Sequence, residues 1–129
     1  TKKLLNFDDV IRRRRYIAEL YHERLHHLPE LILPPSPNQD SRHFDVYQNF
    51  ELQAEKRDQL VVSLAKKQIG TLIQWGGTPI HQFHQLGFTD LCPQTDLFFE
   101  RCFMLPMNMF IDDDDVHYIC DSIIEFYRK

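Results

Sequence analysis

Several features of specialised protein classes are scarce or missing in this 129-residue sequence. It has three cysteines, Cys92, Cys102 and Cys120, with no C-x-x-C spacing. An odd, unpatterned set excludes a disulfide framework and points to a reducing compartment, the cytoplasm. Apolar runs are too short to cross a bilayer, and Thr1 to Asn6 carry no signal-peptide core. Positive charge is also short: 15 Lys and Arg stand against 19 Asp and Glu, a net charge of -4. That argues against a nucleic-acid module resting on overall charge. There are four glycines, and neither a phosphate-cradling P-loop nor a G-x-S-x-G elbow. What remains is ordinary globular usage, with 43% hydrophobic and 26% charged residues. A single domain of this size buries roughly two-thirds of its unfolded surface without needing a disulfide or a metal.

Residues 8–28 predict a helix capped by Asp8 or Asp9, with Val10, Ile11, Ile17, Leu20, Tyr21, Leu25 and Leu28 at helical spacing. Pro29 ends it. Pro34, Pro35 and Pro37 make residues 29–42 extended or looped. Residues 44–53 alternate and are rich in aromatic and β-branched types, which predicts a strand. Residues 55–68 return to helix, with Leu60, Val61 and Leu64 on one side and Gly70 at the exit turn. Thr71–Trp75 reads as a second strand, Ile80–Leu86 as a short helix, and Pro93 opens another helix with Leu97, Phe98 and Cys102 inward. Met104–Met107 is a third strand cut by Pro106. Asp112–Arg128 is a final helix with Val116, Ile119, Cys120, Ile123, Ile124 and Tyr127 on its apolar stripe. The expected fold class is mixed α/β, an α+β sandwich: a small, mainly antiparallel sheet of three or four strands covered by helices.

Each charged or reactive cluster has a structural and a functional reading. Arg12–Arg15 could contact phosphate, but four consecutive residues spread around a helix, which favours a solvated face. Asp112–Asp115 lack the spacers and glycine of a calcium loop and suit a helix start. His22, His26 and His27 lie close together, as do His81 and His84, yet no cysteine lies near either group to complete a zinc site, so no metal is expected. Cys102 and Cys120 sit in apolar surroundings and read as buried thiols. The most unusual stretch is Gln74-Trp75-Gly76-Gly77-Thr78-Pro79-Ile80-His81, with the only tryptophan and the only Gly-Gly. Paired glycines let backbone approach a ligand, while Trp, Gln and His can stack on and hydrogen-bond a polar ring. The competing reading is a plain turn with Trp75 as a core plug.

The same stretch resembles the DegT/DnrJ/StrS-type aminotransferases. Arg57-Asp58, Leu60, Leu64, Ile69-Gly70-Thr71, Leu72-Ile73, Gln74-Trp75 and His81 follow the family's order. Leu105-Pro106-Met107 and Asp114–Phe126 resemble its end, Ile11–Arg14 with Ile17, Ala18 and Tyr21 its Arg-rich helix, and Tyr47-Gln48-Asn49-Phe50 its Tyr-His-x-Tyr strand. Gln48 and Gln74 stand where the family usually has His, and Trp75 where it has Tyr or Phe. The resemblance covers residues 7–128 and implies the C-terminal small domain of a fold-type I pyridoxal phosphate enzyme. On that reading the large domain, with the Schiff-base lysine and phosphate-binding groups, lies before Thr1. This chain then holds no catalytic residue and binds no cofactor alone, and Lys66 and Lys67 match nothing catalytic. Gln74, Trp75, Gly76, Gly77 and His81 would line the substrate side of the cleft. The whole enzyme would be a cytoplasmic homodimer, without nucleic-acid or membrane partners. It would transfer an amino group, with glutamate as the implied donor, to a keto sugar nucleotide for amino-sugar and cell-surface polysaccharide biosynthesis. The alternative is a free-standing interaction or regulatory module without catalysis.

Overall fold

The computed structural model describes residues 7–37, 42, 44–73, 87, 92–108 and 110–128. In chain order the elements are α1 (Phe7–Leu25), β1 (Leu31–Ile32), β2 (Phe50–Ala54), α2 (Arg57–Lys66), α3 (Pro93–Arg101), β3 (Cys102–Leu105) and α4 (Asp113–Arg128). The sheet is antiparallel in the order β1-β2-β3, with β2 in the middle. The mixed α/β class and the mainly antiparallel sheet agree with the expectation from sequence.

The β2–β3 register pairs Phe50 with Leu105 and Leu52 with Phe103, and these four side chains face the core. Leu31 of β1 joins them opposite Ala54. Helices α1, α2 and α4 close that face with Ile17, Tyr21 and Leu25, Leu60 and Leu64, and Val116, Ile119, Cys120 and Ile123. Each supplies the stripe that its spacing predicts. Burying one such Leu or Ile stabilises the fold by about 1.5–3 kcal/mol before chain entropy is counted. The Tyr21 hydroxyl, inside this core, donates to the Pro106 carbonyl at 2.7 Å. Glu51, Gln53, Cys102 and Met104 occupy the other face, as the two-residue period requires.

Five expectations need correction. The strand expected over 44–53 begins only at Phe50. Tyr47 has φ 52, and its N–H bonds the Asp45 carboxylate at 2.7 Å, so residues 45–47 turn rather than extend. Conversely, Leu31–Ile32 form a short strand inside the proline-rich stretch, which Pro34 and Pro35 then stop. The left-handed residue after α2 is Gln68 (φ 65), not Gly70. Ile69 N bonds Leu64 O and Gln68 N bonds Ala65 O, which is a Schellman ending with Ile69 buried over it. On α3 Leu97 is 41% exposed, and no residue of that helix is fully buried. The third strand comes earlier than expected, at 102–105.

The arginine run is also not a solvated face. Arg12 alone points outward, paired with Asp9. Arg13 binds the Asp113 carboxylate and the Ile111 carbonyl, each at 2.8 Å. Arg14 takes the Tyr47 and Gln48 carbonyls, and Arg15 takes the Asp45 carbonyl at 2.6 Å while stacking on Phe44. The helix thus fastens two loops to its first half. Because α1 and α4 run parallel, Arg24 reaches Asp121 further along the same seam.

Candidate functional site

The residues singled out from sequence, Gln74, Trp75, Gly76, Gly77 and His81, lie outside the described residues, as do the short helix at 80–86 and the end of the 71–75 strand. Their approach is described. Leu72 forms an antiparallel bridge with Met104: Leu72 N donates to Met104 O at 3.2 Å and Met104 N to Leu72 O at 2.7 Å. The chain is therefore held at the free edge of β3 two residues before Gln74.

Beside this bridge is an open niche of about 240 Å³, lined by Asn49, Thr71, Leu72, Met104, Pro106 and Met107 among others. An amide and a hydroxyl face thioethers and a leucine, a mixture suited to a polar ring with apolar edges. Gly70 lies on its rim, and a side chain there would meet nothing within 4 Å. Asn49 and Met107 were legible only as parts of longer motifs, because a niche between distant segments leaves no periodic signal.

The other chemistry-bearing groups are structural. Asp112 and Asp115 form a reciprocal capping box: Asp115 N donates to Asp112 Oδ1 at 2.7 Å and Asp112 N to Asp115 Oδ2 at 3.1 Å. Hydrogen bonds from Arg13 and Tyr16 hold the Asp113 carboxyl below its usual range. Burial pushes the Cys120 thiol up to about 12, and burial together with the Glu51 charge raises that of Cys102, so neither is poised as a thiolate. Arg57 is buried at the foot of the sheet, where Nη1 donates to the Cys102 carbonyl at 2.6 Å and Nε to Asp58 at 2.7 Å. Glu51 is more unusual. Its Oε2 is buried without a hydrogen-bond partner, and desolvation raises its pKa. His22 on α1 and His26 just past its end stack on one another. Among the described residues, no group of three His, Cys, Asp or Glu could hold a metal, and no helix is long and apolar enough to cross a membrane.

The fold occurs in solved structures. The aminotransferase TlmJ from Streptoalloteichus hindustanus superimposes with a TM-score of 0.87 at 23% identity, over 98% of this chain and 34% of its own. DesV from S. venezuelae, solved in complex with a ketimine intermediate, gives 0.85 at 24% identity, over 98% of this chain and 34% of its own. PseC from Helicobacter pylori, an aminotransferase involved in the biosynthesis of pseudoaminic acid, gives 0.84 at 16%, over 98% and 35%. At such identities the likeness establishes the fold, and the chain spans about a third of the length of these relatives. No curated protein matches the sequence. The profile of the DegT/DnrJ/EryC1/StrS aminotransferase family matches residues 1–124, and the chain belongs to that family.

Proposed function

We propose that the chain is the C-terminal small domain of a longer, pyridoxal phosphate-dependent aminotransferase. The enzyme transfers an amino group from glutamate to a keto group of a nucleotide-linked sugar, in the biosynthesis of amino sugars for cell-surface polysaccharide. The observation that carries this reading is the family match over residues 1–124, in a chain about a third as long as solved proteins of the same fold. When bound, the cofactor supplies the electron sink, and the protein supplies binding, orientation and electrostatics. The described lysines do not fit a cofactor site: Lys56 and Lys66 are exposed, and the Lys67 ammonium donates to Glu125 at 2.6 Å. On this reading, as in the family it resembles, the cofactor-binding lysine belongs to a large domain outside this chain.

The small domain's part is to shape the substrate side of the cleft. Gln74 and His81 exchange hydrogen bonds with the sugar nucleotide, and Trp75 offers it a flat apolar face. Gly76-Gly77 keeps the backbone permissive while Pro79 limits its path. The enzyme works as a cytoplasmic homodimer with this segment near the subunit boundary. Expression of the whole gene product with pyridoxal phosphate tests the reading. The expected protein is yellow and aminates a keto sugar nucleotide with glutamate; Trp75→Ala and His81→Ala each lower kcat or raise KM with the fold intact. The 129-residue chain alone neither binds the cofactor tightly nor transaminates. Full activity in both variants overturns the assigned site, and a gene product without a cofactor-binding domain favours a free-standing interaction module instead.

A further inference from the structure

An imidazole pair at the end of α1 plays no part in the function proposed above. His22-Glu23-Arg24-Leu25-His26 has the His-Glu-x-x-His spacing, which puts two imidazoles one helical turn apart on one face. The structure keeps that spacing. α1 ends at Leu25, yet His26 N still donates to His22 O at 2.9 Å, so the turn from 22 to 26 is α-helical. The two rings lie nearly parallel, 7° apart, with centroids separated by 5.6 Å. A tetrahedral ion with metal–nitrogen bonds of about 2.0–2.1 Å holds two imidazole nitrogens roughly 3.3 Å apart. The nitrogens sit on the ring rims, so rotating the two side chains closes the difference without moving backbone.

The tautomer of His26 is already set. Its Nδ1 lies 3.0 Å from both the His22 and the Glu23 carbonyl oxygens. A carbonyl only accepts, so Nδ1 carries the proton and Nε2 of the neutral ring keeps its lone pair. Ligating histidines characteristically donate their other N–H to such an acceptor, which orients the ring and makes it a better ligand. His26 is exposed and His22 half-buried, so solvent reaches both. The local charge also suits a cation. Glu19 and Glu23 are exposed, and positions 19, 22, 23 and 26 share one helical face. The nearest arginine, Arg24, is engaged by Asp121 and His117 of α4.

We propose that His22 and His26 form a two-imidazole clamp for a divalent transition cation: Zn2+, Ni2+ or Cu2+. Among the described residues no three donors converge, so water completes the coordination shell. Imidazole suits ions of this class, whereas Mg2+ and Ca2+ take oxygen ligands. Of the three, Cu2+ binds most tightly. A bound ion staples the last turn of α1 just before Pro29 and β1. Glu23 contributes charge and not general-base catalysis, because a catalytic zinc takes three protein ligands. The clamp uses neither pyridoxal phosphate nor the large domain, so its failure is separate from failure of the functional reading.

Calorimetric titration of the whole gene product with zinc chloride tests the clamp. Wild type is compared with His22→Ala and His26→Ala, each checked for unchanged circular dichroism before metal is added. A chelate needs both rings, so each variant is expected to weaken the site by about tenfold or more. His26→Ala also loses the Nδ1 bonds, so His22→Ala, which keeps them, decides the matter. Electron paramagnetic resonance of the Cu2+-loaded protein gives the second readout: a two-nitrogen signal present in wild type and absent from both variants. Zinc binding unchanged in His22→Ala overturns the proposal, as does a wild type that binds no zinc. Equal competition by Mg2+ also overturns it, because that would assign the ion to carboxylates.

Discussion

Replacing Gln68 by glycine is expected to stabilise the domain, although the sequence offers Gly70, two residues on, as the better cap candidate. At φ 65 its Cβ crowds the following carbonyl. That conformation costs an L-residue roughly 1–2 kcal/mol. Glycine removes the clash but has more freedom to lose on folding, which returns about 0.5–1 kcal/mol. The Gln68 side chain is exposed and the two Schellman bonds are made by backbone, so little else changes. The net gain is about 0.5–1 kcal/mol, or a rise in Tm of about 2–4 °C for a domain of this size. Thermal unfolding followed by far-ultraviolet circular dichroism reads it. The companion variant is Gly70→Ala. Gly70 has no left-handed φ, and an added methyl meets open space, so this change is neutral or stabilising by less than about 1 kcal/mol. If Gln68→Gly lowers Tm, or Gly70→Ala costs more than Gln68→Gly gains, the assignment of the left-handed position is wrong.

Asp112→Ala removes one half of the capping box and should cost about 1 kcal/mol in urea unfolding, with an unchanged m-value. Tyr21→Phe leaves the Pro106 carbonyl without its donor inside the core and should cost about 1–2 kcal/mol; a neutral result would mean that water replaces the hydroxyl. Glu51 has a folded-state pKa raised above its ordinary 4.5, so it contributes stability that is fully present below that value and is lost as pH rises through the raised one. Glu51→Gln should therefore stabilise at neutral pH and flatten the stability profile between acid and neutral pH; an unchanged profile would place the carboxylate in water.

Helices α1, α2 and α4 were legible because each has one apolar stripe. Ile17, Tyr21 and Leu25, or Val116, Ile119 and Ile123, recur at the helical period and are buried at that period. The aspartate run was legible because a cap is local chemistry within four residues. Strands were harder. Leu31–Ile32 is too short to show alternation, and the aromatic pattern through 44–49 belongs to a turn in which Tyr47 plugs the core and its hydroxyl donates to the Pro35 carbonyl at 2.6 Å. An aromatic at even spacing satisfies a strand template whether its backbone extends or turns. Of the candidate site, the family's residue order was readable, and the niche of Asn49, Leu72 and Met107 was not.

The arginine run shows why the fastening of the two loops escaped a reading by residue type. Sequence patterns reveal ion pairs when an opposite charge stands three or four places away, as Asp9 does for Arg12. Arg14 and Arg15 bind carbonyls, and every residue has one, so the residues they hold at 45, 47 and 48 carry no mark of being held. The spread of four consecutive arginines around the helix, which argues for a solvated face, is what lets Arg13 reach α4 while Arg14 and Arg15 reach the turn. Those bonds fasten to α1 segments about 30 and 100 residues away in sequence. The ties are invisible to residue type because their acceptors are backbone carbonyls, and they appear only once the helix is built.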